Sequence, residues 1–175
     1  MLSHRIATEA DIPEIAALMA RAIESLQTPF LNPAEIAASR TIMGLDTQLV
    51  ADRTYFVVEE QGRLVACGGW SRRATLYGGD HSLSLRDARL LEPPHDAAKI
   101  RAMYTDPKFV RRGIGRKVLA LCETAARDAG FERVELMATM AGEPLYLACG
   151  YHPIERIQSP AGDITVPGVI MGKSL

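Results

Sequence analysis

The chain has 175 residues, of which 47% are hydrophobic and 23% charged, and its formal net charge is −1 at pH 7. That length suits one domain with a sizeable core, and the near-neutral balance argues against a dedicated nucleic-acid binder, which usually carries a basic excess. No apolar run approaches the ~20 residues of a membrane span and no leader pattern opens the chain, so a cytoplasmic protein without membrane partners is expected.

"HRIATEADIPEIAALMARAIESL" reads as a short strand, a cap at Thr8 or Asp11, and a helix. Its apolar stripe is Ile12, Ile15, Leu18, Met19, Ala22, Ile23 and Leu26. "PAEIAASRTIMG" reads as a second helix, with Pro33 near its first position and Gly44 at its end. "TYFVVEE" and "RLVACGGWSRR" are strands joined by the tight turn "QG". Gly68 and Gly69 weaken the second strand but permit a bulge or a close backbone approach, and Trp70 beside them reads as core. Residues 74–96, "ATLYGGDHSLSLRDARLLEPPHD", are irregular and polar; long loops of this kind are often functional, although a surface excursion fits equally well.

"AKIRAMYT" is the next strand, and it feeds directly into "DPKFVRRGIGRKVLALCETAARDAG". There Ile114, Val118, Leu121, Cys122, Ala125 and Ala129 recur at helical steps, and Gly130 stands at the cap position. "FERVELMAT" is a strand, "GEPLYLACG" a short helix, and "YHPIERI" and "DITVPGVIMGKSL" are terminal strands that pair across a turn at Ser159–Gly162. The whole reads as a single-domain mixed α/β fold over residues 1–175, its sheet largely antiparallel, with helices on both faces. Cys67, Cys122 and Cys149 are odd in number and widely spaced, which suits reduced core thiols; the four histidines lack metal spacing, and no metal site is expected.

The helix start at Gly113-Ile114-Gly115 carries the clearest chemical signal. Glycine costs roughly 1 kcal/mol against alanine inside a helix, so two of them there need a reason. They leave backbone N–H groups bare at the positive end of the helix dipole, where an anion can approach. Arg111, Arg112, Arg116 and Lys117 flank the pair, which points to a phosphate or pyrophosphate; a plain glycine-rich turn is the competing reading. Two nucleotide readings lose ground: no Ser or Thr follows Lys117 as a Walker loop needs, and Val118 occupies the third glycine site of a dinucleotide fingerprint.

Taken together, "MYTDPKFVRRGIGRKVL" and "PLYLACGY" resemble the GNAT superfamily of acyl-CoA-dependent N-acetyltransferases, and the resemblance spans nearly the whole chain. Val110 departs from the Gln or Arg common at the first site of the family's glycine motif. Neither Thr139 nor Ala141 supplies the asparagine often found after the following strand, and Tyr151 replaces the commoner Phe. The resemblance implies acetyl-CoA as co-substrate and coenzyme A as product. The pyrophosphate would be held by Arg111, Arg112, Gly113, Ile114, Gly115 and Arg116, with Lys117 or Arg112 near the remaining phosphate. Met103, Tyr104 and Thr105 would pair their backbone with the pantetheine arm along a central strand splayed from its neighbour.

The implied reaction is transfer of acetyl to a primary amine of a small molecule or peptide. Backbone N–H groups would stabilise the oxyanion, and Tyr146 would protonate the departing thiolate. Glu59, Asp80, His81, Glu92 and His95 are the candidate bases; deprotonation through water leaves no sequence mark. A non-catalytic acyl-CoA-binding module on the same fold is the alternative, and a homodimer through the terminal strands is the candidate assembly.

Overall fold

The computed structural model describes all residues from Met1 to Leu175. Its strands are β1 (Leu2–Ile6), β2 (Tyr55–Glu60), β3 (Arg63–Ser71), β4 (Ala98–Thr105), β5 (Arg133–Ala138), β6 (His152–Ala161) and β7 (Ile164–Ser174). Its helices are α1 (Ile12–Leu26), α2 (Pro33–Ser39), α3 (Thr47–Ala51), α4 (Ile114–Asp128) and α5 (Glu143–Ala148). The seven strands form one sheet in the order β1-β2-β3-β4-β5-β7-β6. Every neighbouring pair is antiparallel except β4 and β5. This is the largely antiparallel α/β sheet expected from the sequence.

Two cores lie on opposite faces of the sheet. On one, α4 packs through Ile114, Val118, Leu119, Cys122 and Ala126 against Val58, Val65 and Ala66 of β2 and β3. The buried stripe therefore runs through Leu119 and Ala126, with Leu121, Ala125 and Ala129 at its half-buried margin. Trp70 belongs to this core and meets Phe131 edge-on, with 6.1 Å between ring centroids. On the other face, Ile15, Leu18 and Met19 of α1 pack on Tyr55, Val57, Leu64 and Cys67. At ~25 cal/mol per Å² of apolar surface, this double-sided burial supplies most of the drive that holds the helices to the sheet.

The second helix is shorter than its sequence suggests. Asn32 and Glu35 form a reciprocal capping box, with Glu35 N–H donating to Asn32 Oδ1 at 2.9 Å and Asn32 N–H to Glu35 Oε2 at 2.9 Å. The helix ends at Ser39, where Ser39 and Thr41 hydroxyls donate to the Ile36 and Ala38 carbonyls and compete with the backbone ladder. The chain then makes α3, five residues that are too short to show a periodicity. The terminal hairpin is also longer than expected: its ladder runs through Ser159↔Val166 to Ala161↔Ile164, which leaves Gly162 and Asp163 as the turn.

Candidate active site

The sheet opens at its centre. β4 and β5 are paired only at Ala98↔Val134 and Lys99↔Glu135, and beyond Lys99 they part. On its other side β4 follows β3 with a bulge: Cys67 faces Tyr104 and Gly69 faces Arg101, so Ala102 and Met103 share the place opposite Gly68. Ala102 has φ +50°, a left-handed conformation costly for alanine, and the Tyr55 hydroxyl pins it by donating to its carbonyl at 2.7 Å. A Cβ on Gly68 would lie 2.5 Å from Met103 Sδ and 2.6 Å from Val118 Cγ1, so any larger residue there must displace these side chains from under the bulge. The Asp106 N–H bonds to Val65 O on β3, and by alternation the Thr105 N–H points to the opposite edge, into the opening.

After β4 the chain turns through Asp106, whose side chain is buried. Asp106 accepts from Lys108 N–H at 2.9 Å and from Arg21 and Arg63 at 3.0 Å each. Burial alone would raise its pKa, but the Lys108 amide and the two guanidiniums outweigh it and hold the carboxyl below its ordinary value. Arg111 and Gly113 both have positive φ, +64° and +77°. Gly113 is the N-cap of α4 and offers no side-chain oxygen to its first turn, so the leading N–H groups of a 15-residue helix are left for another partner. A Cβ on Gly113 would meet nothing within 4 Å, whereas one on Gly115 would lie 3.1 Å from Leu145 Cδ2. Gly113 is thus favoured by the backbone turn, and at Gly115 a side chain would crowd Leu145 of α5.

The opening, this turn and α5 border one cleft of about 770 Å³. Met103, Tyr104, Thr105, Arg111, Gly113, Ile114, Gly115, Arg116 and Tyr146 all line it. Arg112 does not: its guanidinium forks onto Glu60 at 2.6 and 3.0 Å and lies over the Phe109 ring. Lys117 points toward the Leu2 carbonyl on β1, away from the cleft. Two of the four cations seen in the sequence therefore face the cleft and two do not.

Tyr146 lies on α5, 7% exposed, with its ring edge-on to Tyr151. Burial pushes its hydroxyl well above the ordinary phenol value, so it stays protonated at neutral and moderately alkaline pH. Cys67 also lines the cleft, but burial pushes its thiol up to about 12, which leaves it no useful thiolate as a nucleophile. Tyr104 points to the α1 side of the sheet, where its hydroxyl accepts from Gly44 N–H at 3.1 Å.

The irregular segment contributes Leu76, Tyr77 and Gly78 to the cleft, and the Tyr77 hydroxyl meets Ser159 Oγ at 3.0 Å. His81 bonds instead to the Arg40 carbonyl at 2.6 Å, and the His95 carbonyl accepts from Arg133 on the surface. None of Glu59, Asp80, His81, Glu92 and His95 borders the cleft. Sequence reasoning missed Arg101, which lines it; nothing in the local pattern marks a β4 arginine as buried.

Known proteins share this fold. A model of the acetyltransferase (GNAT) family matches residues 19–151. The fold is similar to a GCN5-related N-acetyltransferase from Rhodopseudomonas palustris, with TM-score 0.73, 18% identity, and coverage of 99% of this chain and 95% of that one. It is similar to the PaiA N-acetyltransferase of Thermoplasma acidophilum solved with coenzyme A, with TM-score 0.67, 10% identity, and coverage of 100% and 99%. A polyamine N-acetyltransferase from Drosophila melanogaster aligns with TM-score 0.67 and 14% identity, over 100% of both chains. No curated protein matches the chain by sequence.

Proposed function

The chain belongs to the acetyltransferase (GNAT) family, and from that premise we propose that it transfers acetyl from acetyl-CoA directly to a primary amine. The observation that carries the reading is the meeting, in one cleft, of a bare helix N-terminus, an unpaired strand edge and a protonated tyrosine. The residues present fit coenzyme A. Arg111, Gly113, Ile114, Gly115 and Arg116 offer N–H groups and two guanidiniums to a pyrophosphate. The Met103–Thr105 edge offers main-chain pairing to the amides of a pantetheine arm.

The chemistry follows from these parts. The neutral amine nitrogen attacks the thioester carbonyl, a C–N bond forms, and negative charge gathers on the carbonyl oxygen. Backbone N–H groups of the opened β4 edge stabilise that charge, an interaction worth about 3–4 kcal/mol per donor. Collapse breaks the C–S bond, Tyr146 gives its proton to the departing sulfur, and the tyrosinate takes a proton back from water. The proton lost from nitrogen leaves through water, because no carboxylate or imidazole borders the cleft. Direct attack is favoured over an acyl-enzyme because the Cys67 thiol is held protonated.

The test is release of coenzyme A from acetyl-CoA in the presence of an amine panel, followed by free thiol and paired with calorimetric titration of acetyl-CoA. Amine-dependent release with measurable binding is expected. Tight binding without release on any amine would instead mark a carrier or sensor.

A further inference from the structure

Leu26, Phe30, Ile42, Met43, Leu76 and Tyr77 line the part of the cleft contributed by the end of α1, the segments on either side of α2 and the irregular segment. The lining of the whole cleft contains no Asp, Glu or His; its charged side chains are Arg101, Arg111 and Arg116. Arg111 and Arg116 belong to the turn and first turn of α4. Arg101 donates to the Gly78 carbonyl at 2.6 Å, to Thr75 O at 3.1 Å and to Asp46 at 2.8 Å. Asp46 is 3% exposed and already accepts from Arg86 and the Gln48 N–H, so its charge is spent behind the cleft wall.

This part of the cleft therefore offers a cation no counter-charge. An ammonium group there would lose its hydration against apolar side chains, and the one charged side chain nearby, Arg101, is a cation already paired with Asp46. A hydrocarbon body gains from the same surface. A second amine on the acceptor brings a second ammonium and doubles the penalty.

We infer that the acceptor is a monoamine held by an apolar chain or ring, and that polyamines and amino sugars are poor acceptors. The inference rests on the transferase reading above. It predicts selectivity by hydrocarbon length, the reverse of a site that recognises polycations through carboxylates.

The experiment measures kcat/KM at saturating acetyl-CoA for ethylamine, butylamine, hexylamine, phenethylamine, hexamethylenediamine and spermidine. Along the unbranched monoamines kcat/KM should rise about fourfold per methylene until the cleft is filled. Hexamethylenediamine should fall at least about tenfold below hexylamine, since the added charge is unpaired. A flat monoamine series, or a diamine that equals hexylamine, overturns the inference. Leu76→Asp places a carboxylate in the lining and should raise the diamine relative to hexylamine by about tenfold; an unchanged ratio counts against it. Calorimetry separates the two claims. No acetyl-CoA binding sinks the transferase reading and the acceptor class with it, whereas binding with release on the polyamines alone overturns only the acceptor class.

Discussion

Arg101 donates to Asp46 across 2.8 Å with both side chains almost wholly buried, and Arg86 completes the group from the irregular segment. The ion pair ties β4, the loop before α3 and residues 75–86 into one wall. Breaking a buried pair leaves the surviving charge uncompensated, at about 3–5 kcal/mol. Asp46→Ala should therefore destabilise the protein by that amount, read as a lowered urea midpoint. Arg86→Ala should cost less, because the Arg86 side chain keeps more solvent and Arg101 retains its partner.

Tyr146→Phe keeps the ring against Tyr151 and removes only the proton donor. Turnover should fall about 10²–10⁴-fold with acetyl-CoA affinity nearly unchanged. Because burial raises the hydroxyl's pKa, wild-type turnover should show no loss from tyrosine ionisation up to about pH 10. A variant within about threefold of wild type would assign the protonation to water.

The two glycines of the helix start should separate by readout. Gly113→Ala meets open space but keeps a positive φ, so it should cost about 1–2 kcal/mol of stability and modest affinity. Gly115→Glu drives bulk toward Leu145 and a negative charge toward the proposed phosphate site. It should weaken acetyl-CoA binding at least about tenfold by calorimetry, since one unfavourable contact of 1.4 kcal/mol suffices. Unchanged affinity would remove the phosphate assignment.

Asp106 should make stability fall in acid. Its pKa in the folded protein lies below its unfolded value. The stabilisation it gives is fully present above the unfolded pKa of about 3.9 and disappears as pH drops through the folded pKa. Asp106→Asn should cost about 1–3 kcal/mol at pH 7 and flatten the acid limb of the urea midpoint. Parallel curves for variant and wild type would show that the carboxylate contributes no pH-dependent stability.

Tyr77→Ala should change the amine KM without altering acetyl-CoA affinity, whereas His95→Ala should change neither. Steady-state kinetics on one working amine decide it. An effect at His95 equal to that at Tyr77 would place the acceptor elsewhere on residues 74–96.

The order of strands and long helices was legible because period and punctuation are local. The α1 stripe, the Gly130 cap and β4 all fall where the chain itself signals them. Short elements were not: α3 has too few residues for a pattern, and α2 ends where serine and threonine hydroxyls take over its carbonyls. At the site, backbone-determined positions such as Gly113 could be read, but side-chain destinations could not. Arg112 leaves the cleft because Glu60 lies 52 residues earlier and beside it in space. The bulge at Ala102 depends on a glycine and a tyrosine from neighbouring strands, so no window of sequence around it carries the signal.

The parting of β4 from β5 also places a strand edge inside the sheet. Unpaired N–H groups along a strand invite other strands, which is how exposed sheet edges seed aggregation. Here that edge lies inside the sheet, with β3, β2 and β1 on one flank and β5, β7 and β6 on the other, and it is closed at one end by the Ala98 and Lys99 pairs. On the proposed reading this edge is kept for a thin arm with amides along it, and it is not displayed at the rim of the sheet, where other chains could pair with it.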